Sequence, residues 1–78
     1  MHETHDRLVS CFALVFPEMR AEQIPRAAIT AVEDWDSTAT VTLLGVVEEE
    51  FDLSFEPEEI QNFDRFASIL DLVSRRLA

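Results

Sequence analysis

Asp34-Trp35-Asp36-Ser37-Thr38-Ala39-Thr40-Val41-Thr42-Leu43-Leu44-Gly45-Val46-Val47-Glu48-Glu49-Glu50-Phe51 is the stretch on which the reading of this chain turns. Asp36-Ser37 predicts a helix start, because either short polar side chain can accept from the free backbone N–H groups of a first turn. The helix is expected to run to about Glu50. Val41, Leu44, Val47 and Phe51, with Leu43 at the edge, read as its buried stripe. Thr38, Thr42, Gly45 and Glu49 fall within about 60° of arc on the other side. This narrow face of small and polar residues reads as a docking surface. Gly45 costs about 1 kcal/mol relative to alanine inside a helix, so it reads either as room for a close approach or as a tolerated surface glycine.

Upstream, a first helix is expected from a cap near Thr4 to just before Pro17, with Leu8, Val9, Phe12, Val15 and Phe16 on one face. Residues 17–36 hold Pro17, Pro25 and the isolated apolar anchors Ile24, Ile29 and Val32. A connection this long is expected to be pinned by those anchors or to contain a helical turn. Downstream, Glu56-Pro57-Glu58-Glu59-Ile60 reads as a short helix with proline in its first turn. Asn62 or Asp64 can cap a last helix whose Phe66, Ile69, Leu70, Val73 and Leu77 cluster, with Arg75 and Arg76 at the negative end of its dipole. The fold class is all-α: a small four-helix bundle of three long helices and one short one, with a long loop between helices one and two.

Seventy-eight residues fit a single domain near the lower limit for independent folding. A lone cysteine, Cys11, at the margin of the first apolar face, reads as a buried structural residue; it leaves no internal disulfide, and no zinc-type spacing is present. Apolar packing must therefore hold the fold. The polar, acid-bearing start Met1-His2-Glu3-Thr4-His5-Asp6 is unlike a signal peptide, and no apolar run approaches the roughly 20 residues of a membrane span. A cytoplasmic protein is expected. Sixteen acidic residues face six arginines, for a formal net charge of −10. That balance disfavours nucleic acid, which is bound through basic residues, and favours basic protein surfaces as partners and a monomeric state.

With these residues in view, the chain resembles the acyl and peptidyl carrier proteins. Their signature is an Asp-Ser-Leu tripeptide opening a helix that closes on glutamates and a phenylalanine, and Asp36-Ser37 and Glu48-Glu49-Glu50-Phe51 match it at the family's spacing. Asp52-Leu53-Ser54-Phe55 with Glu58-Glu59-Ile60 is similar to the family's link into helix three. Asn62 to Ile69 is similar to its approach to helix four. The resemblance covers nearly the whole chain and is weakest across residues 17–33.

The resemblance implies that Ser37 receives 4′-phosphopantetheine from coenzyme A through a separate, magnesium-dependent phosphopantetheinyl transferase, with Asp36 serving recognition beside its capping role. It implies a stand-alone carrier that is not itself an enzyme. Acyl groups would travel as thioesters between acyl-transferring, adenylating or condensing enzymes that dock on Thr38, Thr42, Gly45, Glu48 and Glu49. Tethering raises the local concentration of the substrate at each docked enzyme.

Three departures narrow that implication. Thr38 stands where the family has leucine, Gly45 where a larger apolar residue is common, and Ala39 and Thr42 where fatty-acid carriers are often acidic. Interfaces rest on few buried anchors, so these changes point to different partners. Trp35 before Asp36-Ser37 resembles carriers of dedicated peptide, polyketide and related pathways; it also reads as a residue packing the loop on the bundle.

Other classes receive less support. His2 and His5 fall in a terminal segment expected to fray, and no acid and base converge on a pocket. Asp34, Asp36 and Thr38 alternate like the start of a calcium loop, but Ala39 and Gly45 occupy the positions that need glycine and glutamate. No metal site is read from the sequence. The alternative to a carrier is an unmodified helical interaction module, which would have no need of Ser37.

Overall fold

The computed structural model describes residues 3–78. Three α-helices, α1 (Glu3–Val15), α2 (Ser37–Phe51) and α3 (Phe66–Leu77), alternate with two 3₁₀ turns, Ile24–Arg26 and Pro57–Asn62. The result is a small all-α fold; the short fourth helix expected after Glu56 is the second 3₁₀ segment. Proline opens it, and the Glu59 carboxylate reaches back to accept from Glu56 N–H at 2.7 Å. Among the described residues, no helix is long and apolar enough to cross a membrane.

One continuous core joins the three helices. Leu8, Phe12 and Phe16 from the first part of the chain meet Leu43 and Val47 of α2 and Phe66, Ile69 and Val73 of α3. Phe12 packs edge-to-face on both Trp35 and Phe66, with ring centroids 5.4 and 5.2 Å away. Such pairs favour one arrangement of the helices over a loosely collapsed core. Cys11 is fully buried in the same cluster, as a structural cysteine would be.

The connection over residues 17–36 is pinned as its length required. Ile24 and Trp35 are buried, and Ile29 and Val32 pack partly against the core. The backbone of this loop also reaches α3. Ile29 N–H donates to the Asp64 carbonyl at 2.8 Å, and Phe66 N–H donates to the Ala27 carbonyl at 2.9 Å. Neither Asn62 nor Asp64 therefore caps α3. Arg65 holds the cap position without a side-chain bond, and the long loop supplies the acceptor that a polar side chain would otherwise provide.

Other sequence expectations are also corrected. Thr4 lies inside α1, not at its cap. On α2 the buried residues are Leu43, Val47 and Phe51, while Val41 is 68% exposed. At 100° per residue, Leu43 is about 40° from Val47 and Val41 about 120° from it, so centring the core on Val47 turns Val41 outward. On α3, Leu72 is buried and Leu77, in the last turn, is exposed. His5 is not frayed; it sits within α1 with its ring edge-to-face on Phe66 at 5.3 Å. His2 lies outside the described residues.

Two arginines fasten the ends. Arg7 of α1 donates to the Glu50 carboxylate at 2.7 Å and to the Glu50 carbonyl at 2.6 Å, and stacks over Phe51 at 4.6 Å. It thereby places a cation at the negative end of α2. Arg76 of α3 donates to Glu59 at 2.7 Å and to the Ser54 carbonyl at 2.8 Å, holding the second 3₁₀ segment on α3.

Candidate functional site

One backbone bond and one carboxylate build the start of α2. Asp36 is the cap: its carboxylate accepts from Ala39 N–H at 2.9 Å, and its carbonyl accepts from Thr40 N–H at 2.9 Å. Ser37 follows as the first helical residue. The two alternatives open in the sequence are thus separated, with Asp36 capping and Ser37 not. Among the described residues no group hydrogen-bonds to the Ser37 hydroxyl, and the residue is exposed. The amides of Ser37 and Thr38 likewise have no acceptor among the described residues, which leaves donors free beside the hydroxyl.

The turn is fixed from below by residues the sequence reading did not single out together. Trp35, buried against Phe12 and Phe16, donates its indole N–H to Thr40 Oγ1 at 2.9 Å. Thr40 Oγ1 in turn donates to the Asp36 carbonyl at 3.0 Å. The chain from Trp35 through Thr40 to Asp36 anchors the loop end, the cap and the first turn as one unit. Thr40 was legible only as a residue between two motif positions; nothing local marks it as the partner of a buried indole.

Along the outer side of α2, Thr38, Thr42, Gly45 and Glu49 are all exposed. Thr42 returns its hydroxyl to the Thr38 carbonyl at 3.1 Å, so it presents less free polarity than its residue type suggests. Gly45 has no atom within 4 Å of where a Cβ would stand. Nothing inside the molecule requires glycine there. Glu48 differs from its neighbours: it is half-buried, and its carboxylate accepts from Phe55 N–H at 2.8 Å. It fastens the link after α2 rather than standing free on the docking face.

Val41 is the functional candidate that the sequence reading assigned to the core. It is exposed four residues after Ser37 and four before Gly45, so the three line one ridge of the helix. The signal that could have found it is the angular distance from Val47.

The one cysteine offers no competing chemistry at this surface. Burial, reinforced by the nearby Glu50 carboxylate, pushes the Cys11 thiol up to about 11, and only the thiolate reacts as a nucleophile.

Comparison with protein-family models, with curated proteins and with solved structures returned no match.

Proposed function

We propose that this protein is a stand-alone acyl carrier whose Ser37 bears a 4′-phosphopantetheine arm. The observation that carries the reading is the division of labour at the start of α2: Asp36 caps the helix, leaving the exposed Ser37 hydroxyl without an internal task. A phosphodiester on Ser37 Oγ would lie beside the free amides of Ser37 and Thr38 at the positive end of the helix. Those residues fit the group. The arm supplies the thiol that forms thioesters; the protein supplies attachment, a fixed turn and recognition.

Loading requires a separate transferase. The Ser37 oxygen gives up its proton to a base of that enzyme and forms the new P–O bond, while the nucleotide part of coenzyme A leaves. Docking then runs along the ridge Val41, Thr42 and Gly45, with Glu49 at its far end. Val41 is the apolar anchor of this footprint, and the absence of acidic side chains at Thr38, Ala39 and Thr42 directs it to enzymes of a dedicated fatty-acid, polyketide or peptide-type pathway in the cytoplasm.

A thiol titration of the native protein tests the proposal. Buried Cys11 gives no fast reaction before loading; incubation with coenzyme A, magnesium and a broad-specificity phosphopantetheinyl transferase adds a single fast-reacting thiol. Ser37→Ala gains none. A fast thiol that appears equally in the variant contradicts the assignment.

A further inference from the structure

A groove of about 750 Å³ opens between the end of α1, the long loop and the first turn of α2. Its apolar surface comes from Val15, Phe16, Met19, Val32 and Ala39. Phe16 is buried and the other four are half-buried, so an apolar strip of the lining remains in contact with water. Val15, Met19, Val32 and Ala39 pack on the core with one side and keep the other open to the groove.

The rim is strongly one-signed. Glu18, Glu33 and Asp34 line the groove without an ion pair among the described residues, and Glu22 lines it while pairing with Arg20 at 3.1 Å. Arg26 is the sole cationic residue of the lining. An apolar strip framed by unpaired carboxylates repels a fatty anion or an acidic peptide. It matches a segment that offers an apolar side chain flanked by lysine or arginine.

We infer that this groove docks a cationic amphipathic helical segment of a partner protein. The contact is separate from the outer ridge of α2 and independent of whether Ser37 is modified. The Trp35–Thr40 hydrogen bond ties the loop to the first turn of α2, where Ala39 lines the groove two residues after Ser37. A partner held there would meet the start of α2 in one orientation. Because exposed charges rim the site, its affinity falls as salt rises.

The test uses the full chain and a short helical peptide with leucines at i, i+3, i+4 and i+7 and lysines elsewhere, followed by amide chemical shifts. Matched peptides carry glutamine or glutamate in place of lysine. The lysine peptide is expected to shift the amides of Val15, Met19, Val32 and Ala39, and to bind more tightly than the other two. Met19→Ser weakens it at least roughly tenfold, the scale set by losing a buried methionine side chain. The surface pair Glu18→Gln and Glu33→Gln, which removes no core contact, weakens it several-fold, while Glu58→Gln and Asp71→Gln leave it unchanged. Equal weakening by both pairs would mean unspecific charge attraction and would overturn the proposal. So would shifts confined to α2, equal binding of the glutamine peptide, or groove shifts produced by an acylated arm on Ser37 and not by the peptide.

Discussion

The indole of Trp35 donates to the hydroxyl of Thr40 at 2.9 Å, and through that hydroxyl it is coupled to the carbonyl of Asp36. Replacing Thr40 with valine keeps the shape and removes the acceptor. A buried indole N–H left unpaired costs about 1–3 kcal/mol. Thr40→Val is therefore expected to lower stability by that amount in urea unfolding followed by the fluorescence of the only tryptophan, while Thr40→Ser stays close to wild type. Equal losses in both variants would show that the methyl group, not the hydrogen bond, carries the effect.

Gly45 faces open space, so an added methyl meets nothing and the helix gains propensity. Gly45→Ala is expected to stabilise the fold by about 1 kcal/mol, raising Tm by roughly 4–8 °C for a domain of this size. The same methyl protrudes into the proposed docking ridge. Loading by the transferase is expected to show a higher KM with kcat little changed. A lower Tm would mean that the glycine serves the fold.

The start of α2 at Asp36-Ser37 and the proline-led turn at Pro57 were legible because their determinants are local: a short polar cap, a fixed φ, an acid at the first turn. Val41 was misplaced because α2 is apolar on more than one side, and only the neighbours decide which apolar residues are covered. The cap of α3 was misassigned because its acceptor, the Ala27 carbonyl, lies far away in sequence. The Trp35–Thr40 bond escaped for a different reason: the two residues are near in sequence, but the need for a partner arises only once the indole is buried. Asp36 and Ser37 both read as possible caps, and the geometry separates them: Asp36 caps the helix and Ser37 does not.

Glu59 links pH to the packing of the second 3₁₀ segment. The backbone N–H of Glu56, and then Arg76, hold its carboxyl below the usual carboxylate range. The unfolded chain then binds the proton more readily than the native one, so this contribution is present above the ordinary carboxylate pKa. It is lost as pH falls through the depressed value. Glu59→Gln should be less stable than wild type at neutral pH, with the gap closing in acid. Urea titrations across that range check the sign; a gap that widens in acid contradicts it.

Cys11 reports opening of the core. Buried, with its thiol raised to about 11, it is expected to resist alkylation at neutral pH until the helices separate. Alkylation across a urea series should follow the tryptophan transition. Modification well before that transition would show that α1 opens on its own.

The central claim concerns one oxygen atom, Ser37 Oγ. Intact mass measured after incubation with coenzyme A, magnesium and a broad-specificity phosphopantetheinyl transferase addresses it most directly. Wild type is expected to gain the mass of a single phosphopantetheine unit, and Ser37→Ala to gain nothing. An unchanged wild-type mass, or the same gain in Ser37→Ala, would contradict it.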